Sequence, residues 1–245
     1  MGQVVAFISG KGGTGKTTVC AGVASCLAAE GQSVLCIDAD VGLRNLDISL
    51  GMAELSVLPF TDILRGEYTL DDATRHPSIV GLSLLTAPDR EDLEQIPDSD
   101  FRKLLDDARK KYDWCLIDAP AGIGTGFKLA TDFADQVVMI ATSDSSSLRD
   151  AKTAAQILER EKVRNVCLIV NRIRPRLFSK LGMTVDDIMD EVGLPLLGLV
   201  PEDSRVTLAA GKQSALVLYS GKGASVACLH IARRMRGIKT KLMRI

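Results

Sequence analysis

A chain of 245 residues with 46% hydrophobic and 25% charged side chains has the composition of a folded globular protein, long enough to bury a core without disulfide staples. No apolar run reaches the ~18 residues of a membrane-spanning helix, and the strand-like start QVVAFIS has neither a basic lead nor a cleavage-site pattern. The six cysteines, Cys20, Cys26, Cys36, Cys115, Cys167 and Cys228, stand singly among apolar neighbours with no C-x-x-C pair, which argues against clustered thiolate ligands and for reduced core residues in a cytoplasmic protein.

Taken in chain order, apolar runs of strand length recur: VVAFIS, SVLCID, LSLLTA, WCLIDA, QVVMIAT, NVCLIVN and LLGLV. Their apolarity is continuous rather than alternating, as expected of strands covered on both faces in a parallel sheet. Helical periodicity intervenes at Lys16 to Glu30, Asp98 to Lys110, Ser146 to Arg160 and Gly223 to Met235, and TSDSSS leads into a helix cap at Ser145 or Ser146. This alternation predicts an α/β fold in one domain, with a mainly parallel sheet and helices on both faces. Glu54 to Ile79 has mixed periodicity and two prolines and shows no clear element.

Between the first strand and the first helix lies Ser9 to Thr18, SGKGGTGKTT, in which Gly10 to Thr17 matches G-x-x-x-x-G-K-[ST]. Glycines let successive main-chain N–H groups turn inward, and the following helix adds its positive N-terminus, so the expected ligand is a phosphate chain. Gly12, Gly13, Thr14, Gly15, Lys16, Thr17 and Thr18 are the expected nucleotide contacts, Lys16 neutralising phosphate charge and Thr17 ligating Mg²⁺. The general pattern does not require Lys11. That second lysine is placed to reach a neighbouring subunit's nucleotide and offset charge during phosphoryl transfer.

Two strand ends carry carboxylates: VLCIDADVG delivers Asp38 and Asp40, and WCLIDAPAG delivers Asp118. In a parallel sheet these emerge at the carboxyl edge beside the phosphate loop. Asp118 suits the metal shell, Asp38 steadies the metal side, and Asp40 is placed to orient the attacking water. Pro120 to Gly122 then supplies a turn whose backbone can sense the γ-phosphate.

These elements together resemble the deviant Walker-A ATPases, the MinD/ParA family, whose loop reads K-G-G-x-G-K-[ST], here Lys11 to Thr17. GLRNLD (Gly42 to Asp47), DAPAGIGTG (Asp118 to Gly126), SLRDA (Ser147 to Ala151) and VPEDSRV (Val200 to Val206) resemble segments of its MinD branch. The resemblance implies a Mg²⁺-dependent ATP hydrolase that dimerises over two ATP molecules, with Lys11, Lys16 and Asp40 catalytic. It also implies a MinD-like domain over 1–236, Asn45 near the phosphates, and Asn171, Arg172, Pro201, Glu202 and Asp203 around the base. Arg149 and Asp150 fall where the inhibitor MinC and the regulator MinE bind that branch. The implied role is placement of the division septum from a peripheral position on the membrane, and the alternative left open is an FlhG- or ParA-like positioner of flagella or DNA.

The net charge of −1 hides an asymmetry: nine bases and no acid follow Asp203, giving +9 there and −10 elsewhere. An acidic body makes a nucleic-acid partner the less expected one. Ile231, Met235, Ile238, Leu242 and Ile245 recur at helical spacing, with Arg233, Arg234, Arg236, Lys239, Lys241 and Arg244 outside the stripe. As an amphipathic extension, 237–245 would rest on anionic lipid through Ile238, Lys239, Lys241, Leu242, Met243, Arg244 and Ile245. Gly237 interrupts that helix at a cost of about 1 kcal/mol.

Overall fold

The computed structural model describes residues 1–41, 44–88, 96–180 and 182–243; Gly42, Arg244 and Ile245, named above, lie outside the described residues. Eight strands, β1 (Gln3–Ile8), β2 (Val34–Asp38), β3 (Thr74–Arg75), β4 (Leu82–Leu85), β5 (Trp114–Asp118), β6 (Gln136–Thr142), β7 (Val166–Ile173) and β8 (Leu196–Pro201), form one sheet in the order β3-β4-β2-β5-β1-β6-β7-β8. Every neighbouring pair is parallel except β3 with β4. The seven apolar runs are the seven parallel strands. The eighth, β3, falls within the stretch of mixed periodicity between Glu54 and Ile79.

The helices are α1 (Lys16–Ala29), α2 (Leu46–Leu50), α3 (Phe60–Leu64), α4 (Asp98–Lys111), α5 (Thr125–Asp132), α6 (Ser145–Arg160), α7 (Pro175–Lys180), α8 (Val185–Val192), α9 (Ser204–Gly211), α10 (Leu216–Tyr219) and α11 (Ala224–Met235). Successive strand residues point to opposite faces. Val5 and Phe7 of β1 pack with α1, α2 and α11 on one side, while Val4, Ala6 and Ile8 pack with α4, α5 and α6 on the other. Both faces of the parallel strands are therefore buried, and their central positions are largely apolar on both sides. The six cysteines are buried free thiols, and burial pushes Cys26, Cys115 and Cys167 up to about 12.

Two local expectations are corrected. α6 begins at Ser145 and is capped by Asp144, whose carboxylate accepts the Ser147 N–H at 3.0 Å, rather than by either serine. The basic end does not continue α11 as a helix: α11 stops at Met235, Gly237 has φ +76°, and the described residues 238–243 are non-helical. The stripe that helical spacing would draw from Ile231 to Ile238 is thus broken in space. Among the described residues, no helix is long and apolar enough to cross a membrane.

Candidate functional site

β5 lies between β2 and β1, so the strand ends present, side by side, Asp38, Asp118 and the phosphate loop. β6, β7 and β8 continue the edge on the other side of β1, ending in Asn171 and the 201–203 turn. The loop therefore sits between a carboxylate side and a cavity side.

The loop's shape depends on glycine at two points. Gly15, φ +84°, caps α1 without any side-chain hydrogen bond, and a Cβ there would lie 2.3 Å from Asn171 Nδ2. A Cβ on Gly10 would lie 2.6 Å from the Asp150 backbone, so the loop rests directly on α6. With no capping side chain, the first N–H groups of α1 remain available to an anion.

On the carboxylate side, Lys16 Nζ donates to Asp118 Oδ1 at 2.6 Å, and both side chains are buried. Burial pushes the Asp118 carboxyl up, opposed by Lys16 and by the nearby Thr17 hydroxyl. Asp38 stands in register with Asp118 on the next strand and accepts the N–H groups of Asp40 (3.0 Å) and Leu46 (3.1 Å). Burial, helped by the nearby Asp118, raises Asp38 to about 7. Asp118 Oδ2, Ser9 Oγ and Thr14 Oγ1 are buried without a hydrogen-bond partner among the described residues. Orphaned oxygens beside a lysine and a helix N-terminus fit a hydrated cation and its phosphate ligand. Asp40 is half-buried; Asn45 is exposed and makes no capping bond. The Gly122 N–H donates to Ser9 O at 3.0 Å, which ties the Pro120 to Gly122 turn to the loop.

On the other side, a cavity of about 140 Å³ is lined by Gly15, Thr18, Asn171, Arg172, Pro201, Glu202 and Asp203, with Val19, Val200, Val206, Leu216 and Cys228 as apolar walls. Apolar walls with a few polar groups suit a planar heteroaromatic base. Asn171 is buried and donates Nδ2 to Thr14 O at 2.8 Å, while Arg172 is exposed at φ +55° where the β7–β8 register slips. Neither acid offers a free carboxylate. Asp203 accepts from Arg205 Nε (2.7 Å) and from the Arg205 and Ala224 N–H groups, and Glu202 is paired with Arg174.

Lys11 does not point away from its own chain here: Nζ donates to Asp144 Oδ1 at 2.9 Å and to Ser146 Oγ at 2.6 Å. The Thr142 hydroxyl, with Lys11 and Ser146 and against burial, holds Asp144 well below the usual carboxylate range. Of the two expected partner-binding residues on α6, Arg149 is exposed but Asp150 is half-buried under the loop. Sequence reasoning missed Asp144 as the partner of Lys11 and the α9–α11 walls of the cavity. Both lie far along the chain from the loop, and no local pattern announces them.

A strand, glycine loop and helix aimed between paired carboxylates and a base-sized cavity define a P-loop nucleotide-binding domain of the ATP-hydrolysing kind. Residues 5–217 match the family described as the CobQ/CobB/MinD/ParA nucleotide binding domain. The chain belongs to that family and, within it, to the MinD group of septum-site-determining ATPases. It is 36% identical over 240 residues to the septum site-determining protein MinD of Synechocystis sp., covering 97% of this chain and 90% of the relative. Among solved structures, MinD in the MinC:MinD cell division complex of Aquifex aeolicus matches with a TM-score of 0.90 at 34% identity, covering 99% of each chain. MinD of Pyrococcus horikoshii complexed with Mg-ADP matches at 0.82 and 26% identity, over 96% of each chain.

Proposed function

We propose that this chain is an ATP-driven switch that dimerises on ATP, attaches peripherally to the inner face of the cell membrane and places the septum by recruiting a MinC-like inhibitor, with a MinE-like protein stimulating hydrolysis. The observation that carries this reading is the buried Lys16–Asp118 pair with its unpartnered Asp118 oxygen, set at the N-terminus of α1. Bound Mg²⁺·ATP supplies the phosphoryl group and the cation that neutralises it. The α1 N–H groups and Lys16 bind phosphate oxygens, and Lys16 leaves Asp118 to do so. Thr17, Asp118 and Asp38 hold the metal and its shell. Asn171 keeps its Oδ1 for the base, with Thr18, Arg172, Pro201, Glu202 and Asp203 shaping the cavity.

In the dimer, Lys11 exchanges Asp144 for the partner's phosphates, and Asp40 orients the attacking water. Asn45, at the start of α2, contacts the phosphates. Arg149 offers a charge to the inhibitor and the regulator, with Asp150 beneath it. The ATPase domain covers 1–236, and 237–245 is the membrane-directed segment. The names of relatives above 30% identity support septum placement. A ParA family ATPase from Chlorobium tepidum matches at 22% identity and carries the fold alone.

The test is gel filtration and anionic-vesicle sedimentation with ATP, ADP or no nucleotide, on the wild type, Asp40→Ala and a deletion of 237–245. Expected are ATP-dependent dimers in all three, vesicle binding lost only in the deletion, and turnover reduced about 100-fold or more in Asp40→Ala. Loss of dimers in Asp40→Ala would remove Asp40 from the catalytic role.

A further inference from the structure

α11 ends in a turn that reverses the basic segment onto the body. The Gly237 and Ile238 N–H groups donate to Arg234 O and Arg233 O, both at 2.9 Å, the pattern of a helix C-terminus closed by a left-handed glycine. Beyond the turn, Thr240 Oγ1 donates to His230 O at 3.2 Å, and Arg234 bridges Leu197 O (2.8 Å) and Thr240 O (3.0 Å). Met243 packs against the core. The segment is therefore seated on its own domain.

One carboxylate anchors the base of this turn. Glu30, at the C-terminus of α1, accepts Arg233 Nε and Arg236 Nη1, each at 2.6 Å, and is only 18% exposed. Ile238 and Leu242 are 41% and 45% exposed, and Lys239 and Lys241 point to solvent. Exposed aliphatic side chains interleaved with cations are complementary to an anionic bilayer surface. The two arginines next to them are occupied by Glu30. α1 carries Lys16 at its first position and Glu30 just past its last, so the phosphate loop and this clasp are the two ends of one helix.

We propose that Glu30 is a latch that competes with anionic lipid for Arg233 and Arg236, holding 237–243 in the turned-back form that binds membrane weakly. This rests on the membrane reading given above. Partly exposed pairs of this kind are individually weak. The expected release is therefore about ten-fold in vesicle affinity, ~1.4 kcal/mol.

The experiment uses the full chain as wild type, Glu30→Gln, Glu30→Ala and Glu30→Asp. Each is sedimented with phosphatidylglycerol-containing or pure phosphatidylcholine vesicles, with and without Mg²⁺·ATP. Trypsin cleavage at Lys239 and Lys241 without lipid reads the clasp by itself. Glu30→Gln and Glu30→Ala are expected to bind the anionic vesicles about ten-fold more tightly without nucleotide and to be cut faster, with Glu30→Asp near wild type. If wild type binds anionic vesicles in ATP but nucleotide-free Glu30→Gln and Glu30→Ala bind no better than nucleotide-free wild type, the latch is overturned. If no form binds anionic vesicles in any nucleotide state while Glu30→Gln and Glu30→Ala are still cut faster, the lipid partner and the membrane reading fall together, although the clasp itself exists.

Discussion

Lys16 and Asp118, 102 residues apart in the chain, meet in a buried ion pair at 2.6 Å on the edge between β1 and β5. The pair neutralises the loop's cation, since an unpaired buried ammonium would be costly. Asp38 stands beside them in register but takes its hydrogen bonds from the Asp40 and Leu46 N–H groups, so Lys16 pairs with Asp118 and reaches Asp38 only through space. On the proposed function, a phosphate that draws Lys16 away would free the Asp118 carboxylate for a divalent cation.

Replacing Lys16 by Ala should reduce Mg²⁺·ATP affinity more than about 100-fold, the loss expected when a charge-assisted buried contact disappears. Stability should suffer less than the ~3–5 kcal/mol typical of a broken buried pair, because Asp118, already pushed up by burial, takes a proton. Urea unfolding without nucleotide measures this. The deficit should grow as pH rises.

Asp38 gives a second pH signature. Its folded carboxyl titrates near 7 against an ordinary 3.8, so between those values the folded state holds a proton that the unfolded chain has shed. The stability this group contributes is complete below about pH 4 and is lost as pH rises through about 7. Without nucleotide, Asp38→Asn should therefore gain on the wild type between pH 5 and pH 8, at a rate approaching about 1.4 kcal/mol per pH unit until the folded carboxyl itself ionises. A difference that stays flat across that range would contradict the burial of a protonated Asp38.

The contact between Gly15 and Asn171 sets up a double-mutant cycle. Gly15→Ala places a methyl 2.3 Å from Asn171 Nδ2 at φ +84°, which should destabilise the fold by about 1–2 kcal/mol from the backbone alone and more from the clash. Asn171→Ala loses the bond to Thr14 O, about 1 kcal/mol or more for a buried group. Combined, the two should cost less than their sum by at least about 0.5 kcal/mol, read from denaturation midpoints.

The parallel strands and the phosphate loop were legible because their signals are local: strands buried on both faces are apolar at every position, and the loop is a contiguous pattern. Asp38 and Asp118 were legible for the same reason, each ending an apolar run. β3 was not, since Thr74 and Arg75 are polar and form a strand only by pairing with Leu84 and Ser83. The tail misled. Its spacing continues the stripe of α11, but Gly237 adopts the left-handed turn its missing side chain permits. The partners of Lys11 and Arg236, Asp144 and Glu30, lie 133 and 206 residues away, where only the folded chain joins them.

The most direct measurement is calorimetric titration of the nucleotide-free wild type with Mg²⁺·ATP, beside Lys16→Ala and Asp118→Asn. One nucleotide per chain should bind the wild type, the heat being lost in Lys16→Ala and the Mg²⁺ dependence in Asp118→Asn. A folded wild type that takes up no Mg²⁺·ATP, or binds it equally well with Lys16 removed, would contradict a phosphate site at the start of α1.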